Sequence, residues 1–337
     1  MAAETLTILQ DSLTQAYSSR FEELFTRKIK PDSPIDTIYG YLQSIGAIGV
    51  GQLDMTGMGG GGDKAARIVV KTSTGNSVTP YVSGDLRPAG GSRSYDTAEW
   101  EWRNYWVTMH MRGDAYRAAT AGARYNNVDA WAEKMEDGFM DLKDQIETDL
   151  AGSGGSNRID GLDAIFNDAN TYAGIDRTSV AGWKPYKKDA GSATITKAML
   201  DDVDLVLRDT RRVNYDHILV PLKQDQKLGD LVDARRRDVS DILPGALLYK
   251  GRRIIPLGGL TDSHAFFVDS RQFFLRFQPF RAGALNGALM QPSNMDGIPF
   301  GLIAEDDGSD GVAVTMAVSL NVGYRNTWRA AYIDALG

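Results

Sequence analysis

The chain has 337 residues, with 42% hydrophobic residues, 24% charged residues and a formal net charge of −7. Its length allows two or three packed regions with an ordinary globular composition, while its acidity argues against a general nucleic-acid-binding surface. It contains no cysteine, which excludes disulfides and thiol chemistry. No run approaches the ~20 apolar residues of a membrane span, and the N-terminal residues do not form a signal-peptide pattern.

The first segment, residues 1–62, begins with apolar residues at helical spacing. They are Leu9, Leu13, Ala16, Tyr17, Phe21, Leu24 and Phe25. Pro31 and Pro34 end this predicted helix, and a short second helix is expected from Asp36 to Ile48. The glycine-rich residues 49–62 favour a flexible connection. The first helix is interpreted either as a core helix or as an arm that lies on a neighbouring subunit.

The run GMGGGGDK at 57–64 has the spacing of a phosphate-binding loop only as far as Gly62. Asp63 then stands where that motif requires lysine, and Lys64 stands where a hydroxyl should hold magnesium. An aspartate in that cradle would repel phosphate, so the sequence does not predict a nucleotide site.

Residues 63–112 are interpreted as an extended hairpin. Strands are expected at 67–71 and 98–111, separated by a polar stretch at 74–97 that contains glycine and proline. Alternation would place Trp100, Trp102 and Trp106 on one face. This face belongs either to the subunit core or to an interface, and the long polar tip favours the interface.

A long helix is predicted from 127 to 150 because apolar residues keep a 3–4 spacing throughout. They are Val128, Trp131, Ala132, Met135, Phe139, Leu142, Ile146 and Leu150. The other face is acidic, with Asp129, Glu133, Glu136, Asp137, Asp141, Asp144, Glu147 and Asp149. It is either a solvated face or the partner of Arg87 and Arg93 from a neighbour's hairpin tip, with Glu136, Asp137 and Asp144 as the expected contacts.

The stretch that follows this helix contains the most distinctive sequence motifs of the chain. It contains Gly152, Gly154 and Gly155, then GLDAI at 161–165, TYAGIDR at 171–177, and Trp183. This pattern resembles the segment after the spine helix of tailed-phage major capsid proteins, in which "GL.ALI" and "YGGIDRS...W" occur. Ala173 replaces a glycine of that pattern, and Thr178 replaces a serine.

The C-terminal half has shorter mixed elements. Thr196 is a predicted N-cap, with Ile195 and Leu200 as a hydrophobic staple. Strands are expected around 216–220, 247–257 and 264–277. Apolar residues at every second position from Val312 to Tyr324 predict a half-buried strand, followed by a second strand at 325–333.

The sequence lacks clear motifs for catalysis or metal binding. His110, His217 and His264 are isolated in the sequence and fall in predicted strands. No HExxH or GxSxG motif is present. The acidic run at 305–311 lacks a side-chain ligand at Gly308 and the required glutamate at Ala317, so an exposed turn is favoured over a calcium loop. We expect no enzyme activity, no cofactor and no metal.

The resemblance implies an α+β fold shared by tailed-phage and herpesvirus capsids. It implies an N-terminal arm at 1–62, an extended loop at 63–112 and a peripheral domain at 113–195 with its spine helix at 127–150. An axial domain would follow at 196–325, and a C-terminal strand at 326–337 would return to the peripheral domain.

The implied function is a structural one in the virion capsid, assembled in the host bacterial cytoplasm. Pentamers and hexamers would form an icosahedral shell around double-stranded DNA, without sequence-specific binding and without a membrane. The segment before the extended loop is too short for a fused scaffold, which implies a separate scaffolding protein or cleavage of a longer precursor. Met1 favours the separate protein. A portal protein at one vertex and a decoration protein are further implied partners. The alternatives are an encapsulin-like nanocompartment shell and an enzyme of unknown type.

Overall fold

A computed structural model of the chain describes residues 37–55, 64–71, 95–112, 124–155, 157–231, 247–279, 283–285, 288–295, 298–306 and 311–337. Several predicted features lie outside these residues. They are the first helix, most of the glycine run at 57–64, the hairpin tip with Arg87 and Arg93, and the centre of the acidic run at 305–311. The helix residues Val128, Trp131, Met135 and Glu136 are described for their backbone alone.

The protein has an α+β fold, as predicted. Its helices are α1 (Ile38–Ser44), α2 (Arg124–Ala151), α3 (Leu162–Phe166), α4 (Lys197–Leu205) and α5 (Leu222–Leu231). Its strands are β1 (Ile48–Val50), β2 (Leu53–Asp54), β3 (Lys64–Lys71), β4 (Tyr95–Glu101), β5 (Arg103–Arg112), β6 (Thr171–Tyr172), β7 (Ile175–Asp176), β8 (Tyr186–Asp189), β9 (His217–Pro221), β10 (Leu247–Tyr249), β11 (Arg252–Leu257), β12 (Ala265–Val268), β13 (Phe273–Phe277), β14 (Gly283–Leu285), β15 (Ala288–Met295), β16 (Ile298–Asp306), β17 (Gly311–Tyr324) and β18 (Ala331–Asp334).

Two large sheets organise these elements. The seven-stranded sheet has the order β1-β13-β17-β16-β15-β14, and β5 also pairs with β17. The six-stranded sheet has the order β10-β11-β9-β12-β18-β8. Two smaller sheets, β2-β3-β4 and β6-β7, complete the pairing. β3 and β4 form an antiparallel pair, but the strand expected at 98–111 is divided, and its second part, β5, pairs with β17 of the seven-stranded sheet.

The long helix is confirmed and runs slightly beyond its predicted ends. At ~1.5 Å per residue, the 28 residues of α2 extend about 42 Å. Phe139, Leu142, Ile146 and Leu150 are buried, as their spacing predicted, and α2 packs against β5, β17, α1 and α3. Two residues assigned to the solvated acidic face differ: Asp149 is only 3% exposed, and the half-buried Glu147 accepts hydrogen bonds from the backbone of α1.

Two expectations about local structure were wrong. Part of the stretch 49–62, expected to be irregular, forms strands, because β1 pairs in parallel with β13 and β2 pairs in parallel with β3. The strand β17 was expected to be half-buried, yet its alternate face is also covered: Ser319 is 6% exposed and Asn321 is fully buried. A period of two cannot reveal what covers the second face of a strand.

The six-stranded sheet separates two apolar cores. In β9, Ile218 and Val220 belong to a core that also contains Leu200 and Val203 of α4. Leu219 points to the other side and belongs to the larger core under α2. A strand covered on both faces reads as a continuous apolar run, which is the pattern of HILVP at 217–221.

The path of the C-terminal part differs from the expected division at residue 325. Strand β17, assigned to the axial region, lies in the sheet that carries α2, where it pairs with β5. Strand β18, expected to return to that region, instead pairs with β12 and β8 of the six-stranded sheet. The chain does cross between sheets near the predicted point, but in the opposite direction.

Two crossings between the sheets are tied together by an ion pair whose carboxylate is buried. The segments are 269–272, between β12 and β13, and 325–330, between β17 and β18. Asp269 is fully buried, and its Oδ2 lies 3.1 Å from Nη2 of Arg329. A guanidinium from Arg211 adds hydrogen bonds to the carbonyls of Lys184 (3.1 Å) and Trp328 (2.9 Å).

In the part of the chain that the structure describes, no helix is long and apolar enough to cross a membrane.

Candidate functional site

The motif at 161–177 forms a buried structural centre. Arg177 is fully buried and donates from Nη1 to the carbonyl of Ala164 at 3.0 Å, with further bonds to the carbonyls of Ile165 and Asn167. Its guanidinium carbon lies 4.4 Å from the ring centroid of Tyr172. Burial lowers the pKa of Arg177 to about 10, so it stays charged at neutral pH and organises the backbone around α3.

The TYAGIDR motif forms a tight turn between β6 and β7, and this turn explains its residue types. Ala173 has φ +51° and Gly174 has φ +80°, so both central residues are left-handed, as a type I′ hairpin turn requires. The glycine common at the first position removes strain that Ala173 must bear. Tyr172 is then positioned to accept at its hydroxyl from the Tyr324 amide (2.9 Å) and at its carbonyl from Nε1 of Trp183 (3.1 Å).

The three tryptophans of the hairpin do not share one face. Trp100 is 1% exposed and lies in the subunit core, with its ring centroid 5.1 Å from that of Phe274 and 5.7 Å from that of Tyr172. Trp102 lies between β4 and β5 and is partly buried, while Trp106 is 70% exposed. The predicted alternation fails because the strand is interrupted at Trp102. The expectation that Trp100 belongs to an intersubunit surface was therefore wrong.

Trp106 marks an exposed patch on the outer face of β5. Its neighbours along this face, Asn104 and Thr108, are also exposed. Across the ladder, Trp106 pairs with Ala317, and Oγ1 of Thr108 lies 2.9 Å from Oγ1 of Thr315. The facing residue on β17 is small, so the indole of Trp106 is left open to solvent.

A groove of about 250 Å³ runs between β5 and the spine helix. Its lining includes Thr108 from the strand and Lys134, Asp137 and Asp141 from α2. Nζ of Lys134 donates to the carbonyl of His110 at 2.9 Å and thereby holds the helix against the strand. Asp137 and Asp141 are exposed, so the groove presents carboxylates to solvent.

Two of the three predicted intersubunit carboxylates lie on the exposed side of the spine helix. Asp137 lies at the groove, and Asp144 is exposed further along the same helix. The side chain of Glu136, like Arg87 and Arg93, lies outside the described residues. Trp106 is exposed on β5 and Asp137 lines the groove beside that strand, whereas Trp100 lies in the core.

The three histidines occupy three different environments. His110 and His217 lie in strands, as predicted; His217 is largely buried, and its Nδ1 is 3.0 Å from the hydroxyl of Tyr41. Burial lowers the pKa of His217. His264 precedes β12 and is not isolated, because Asp163 and Asp334 contact its two ring nitrogens at 2.8 and 2.9 Å. Sequence spacing gave no signal for this group, whose members are about 70 and 100 residues apart.

The described residues contain no group of three or more His, Asp or Glu side chains arranged to hold a metal ion. The buried charges that sequence reasoning missed, such as Asp269 and Asp204, are engaged with arginines and lysines of the fold. Asp204, for example, is 3% exposed, and its carboxylate lies 3.3 Å from Arg252 and 3.1 Å from Lys250.

Comparison with solved structures identifies the fold. The chain is similar to a subunit of the cyanophage A-1(L) capsid, with a TM-score of 0.63 and 14% identity over 85% of this chain and 90% of that chain. It is also similar to the capsid of a native GTA particle, with a TM-score of 0.56 and 10% identity over 91% and 92%. An empty GTA particle gives a TM-score of 0.52 at 10% identity over 92% of both chains.

No protein-family model and no curated protein sequence matches the chain. At these identities the similarity establishes the fold, which is that of capsid shell subunits. The fold class predicted from the sequence is thus confirmed.

Proposed function

We propose that the protein is a structural shell subunit of the tailed-phage major capsid type. Copies would assemble as pentamers and hexamers into an icosahedral shell that encloses double-stranded DNA. The observation that carries the proposal is the fold similarity to the cyanophage A-1(L) capsid subunit over 90% of that chain.

The two sheets supply the two domains of such a subunit. The seven-stranded sheet with α2 corresponds to the peripheral domain, and the six-stranded sheet with α4 and α5 corresponds to the axial domain. This division assigns β17 to the peripheral domain and β18 to the axial domain, in keeping with their strand pairing. The hairpin β3-β4 forms the base of the extended loop.

The proposed intersubunit surface consists of Trp106 and the carboxylates beside the spine helix. The hairpin tip at 72–94 carries Arg87 and Arg93 against a single acidic residue, Asp85. Its net positive charge complements the exposed Asp137 and Asp144 of a neighbour's α2, with Glu136 as a further partner. Each exposed pair contributes only ~0–1 kcal/mol, so burial of the Trp106 indole would supply more of the stabilisation per contact.

The remaining parts of the proposal concern partners and location. A separate scaffolding protein, a portal protein at one vertex and a decoration protein would complete the particle. The subunit would reside in the virion capsid after assembly in the host bacterial cytoplasm. A net charge of −7 suits a wall that does not adhere to the enclosed DNA.

The test is direct. The expressed chain, alone and with a candidate scaffold, is examined by negative-stain electron microscopy and analytical sedimentation. Closed shells or ring-shaped capsomers are expected. A compact monomer under every condition would contradict the proposal, and purified native particles that hold a protein cargo in place of DNA would instead identify a nanocompartment shell.

A further inference from the structure

His264 lies where the two halves of the subunit meet. Its Nδ1 is 2.8 Å from Oδ1 of Asp163 in α3, and its Nε2 is 2.9 Å from Oδ1 of Asp334 in β18. Helix α3 contributes Leu162 and Phe166 to the core under α2. β18 belongs to the six-stranded sheet, so the imidazole bridges both regions.

The geometry fixes the protonation state of this imidazole. A carboxylate can only accept hydrogen bonds, so each ring nitrogen must carry a proton to bond its partner. A neutral imidazole has one N–H and would direct a lone pair at the other carboxylate. Both bonds exist together only in the imidazolium form. The hydrogen bond with Asp163 is the main cause that raises the pKa of His264, against the opposing effect of partial burial.

The surrounding charges balance only when His264 is charged. Asp334 also pairs with Lys187 of β8, which is 2.5 Å from its other oxygen. Next to the imidazole, the ring of Tyr332 directs its hydroxyl at Asp168, and Asp168 pairs with Lys184 at 3.2 Å. Asp189 also acts on Lys187, and Arg177 acts on Asp168. Four carboxylates thus stand against three cations, and the imidazolium supplies the fourth positive charge.

The remaining neighbours of the imidazole are uncharged or paired elsewhere. The hydroxyl of Thr261 donates to Oδ2 of Asp163 at 2.7 Å, and the Phe266 ring packs edge-on, with its centroid 5.9 Å from that of the imidazole. Asp262 lies 3.8 Å from Lys223. No second cation among the described residues lies within ion-pair distance of Asp163, so loss of the proton from His264 leaves that carboxylate without a positive partner.

We propose that Asp163, His264 and Asp334 form a proton-dependent latch that holds α3, and with it the spine helix, against the six-stranded sheet. The latch closes while the imidazole carries both protons and opens when it loses one. It operates within one subunit. The consequence that alkaline pH loosens the angle between the two domains of a shell subunit rests on the proposed function.

The direction of the pH effect follows from linkage. Because the folded state holds the histidine proton more tightly than the unfolded chain, the latch contributes its full stabilisation below the ordinary histidine pKa of ~6.5. That contribution is lost as pH rises through the raised pKa of the folded state. The melting temperature of the wild-type chain is therefore expected to fall as pH rises above ~6.5.

The experiment compares four full-length chains, unassembled and checked by sedimentation, in thermal melts from pH 6 to pH 9. His264→Gln should melt below wild type at pH 6 and lose the pH-dependent fall. Asp163→Asn should also lose the fall while remaining folded. The asparagine amide can donate to an unprotonated Nδ1, and the Nε2–H of the neutral imidazole still donates to Asp334. His110→Gln, at an exposed strand position, should keep the wild-type fall.

NMR titration measures the pKa of His264 directly. A purely structural role for the imidazole would not require this pKa to change in Asp163→Asn. Only three histidines are present, so each signal can be assigned with single variants. The pKa of His264 should exceed 6.5 in wild type and drop in Asp163→Asn. A pKa at or below 6.5, or an undiminished pH-dependent fall in His264→Gln, would overturn the latch. Neither result depends on whether shells form, so failure of the proposed function is separable.

Discussion

At the scale of single residues, the backbone makes a close approach at Gly161, where the chain passes the end of the spine helix. A Cβ at this position would lie 2.2 Å from the carbonyl oxygen of Asp149 and 2.3 Å from that of Gly152. Both atoms belong to backbone and cannot turn aside as a flexible side chain could. The glycine of the GLDAI wording is therefore required by packing.

Replacing Gly161 with Ala is expected to lower the free energy of unfolding by about 3 kcal/mol or more, since the helix end must shift to relieve the overlap. Chemical denaturation of the unassembled chain measures this. Gly155→Ala is the matched control, because a Cβ there meets nothing within 4 Å. Equal stability of the two variants would contradict the close approach.

Trp100 and Trp106 lie on either side of the strand interruption at Trp102. Replacing each with Ala should distinguish an effect on folding from an effect on assembly. Trp100→Ala removes a side chain that is 1% exposed and should cost ~3–5 kcal/mol in unfolding free energy. Trp106→Ala removes one that is 70% exposed and should change it by less than about 0.5 kcal/mol.

Assembly should respond in the opposite order. Folded Trp106→Ala chains are expected to form fewer capsomers or shells than wild type in sedimentation at equal concentration. Full assembly of this variant would remove Trp106 from the proposed intersubunit surface, whereas unfolding of it would place the indole in the core.

At the scale of elements, α1 is anchored by a side chain from the spine helix. The carboxylate of Glu147 accepts hydrogen bonds from the backbone amides of Ile38 and Tyr39, the latter at 3.0 Å. These amides open α1 and have no partner within that helix. Burial raises the pKa of Glu147, and the two amide bonds oppose that effect.

Glu147→Ala is expected to cost about 1–2 kcal/mol, because it leaves two helix-opening N–H groups without an acceptor. Asp144→Ala, an exposed change one turn earlier on α2, should cost less than about 0.5 kcal/mol. Hydrogen exchange should locate the loss at residues 38–44. Uniform loss of protection across the protein would argue against a local anchoring role.

At the scale of the whole molecule, the proposed shell should hold together without covalent cross-links. A cross-link between a hairpin lysine and a neighbour's side chain would need a neutral amine at the reach of the loop. Residues 74–97 contain no lysine, and arginine stays protonated and is a poor nucleophile. Lys64, at the base of the hairpin, is engaged with Glu101 at 2.9 Å.

Mature particles boiled in detergent should accordingly run as one band near the monomer mass on a denaturing gel. A ladder of dimers, pentamers and hexamers would show that a lysine outside the hairpin tip reacts. Uncross-linked shells would then depend on buried apolar area and on many weak pairs, so they should dissociate in moderate denaturant.

The sequence by itself determined the elements whose signal is local. The 3–4 spacing defined α2, and Thr196 defined the start of α4, where its hydroxyl accepts from the Met199 amide. The period of two defined β17. The resemblance of GLDAI and TYAGIDR to motifs of tailed-phage major capsid proteins predicted the fold class. Such motifs are informative because tight turns and close backbone approaches permit few residue types.

Only the tertiary structure decided which surface each residue faces and which sheet each strand joins. Alternation grouped Trp100 with Trp106, but the break at Trp102 separated core from surface. The crossing after Tyr324 placed β18 in the six-stranded sheet, and folding brought His264 between Asp163 and Asp334. Strand partners and burial depend on contacts between residues far apart in the chain, and local spacing carries no information about them.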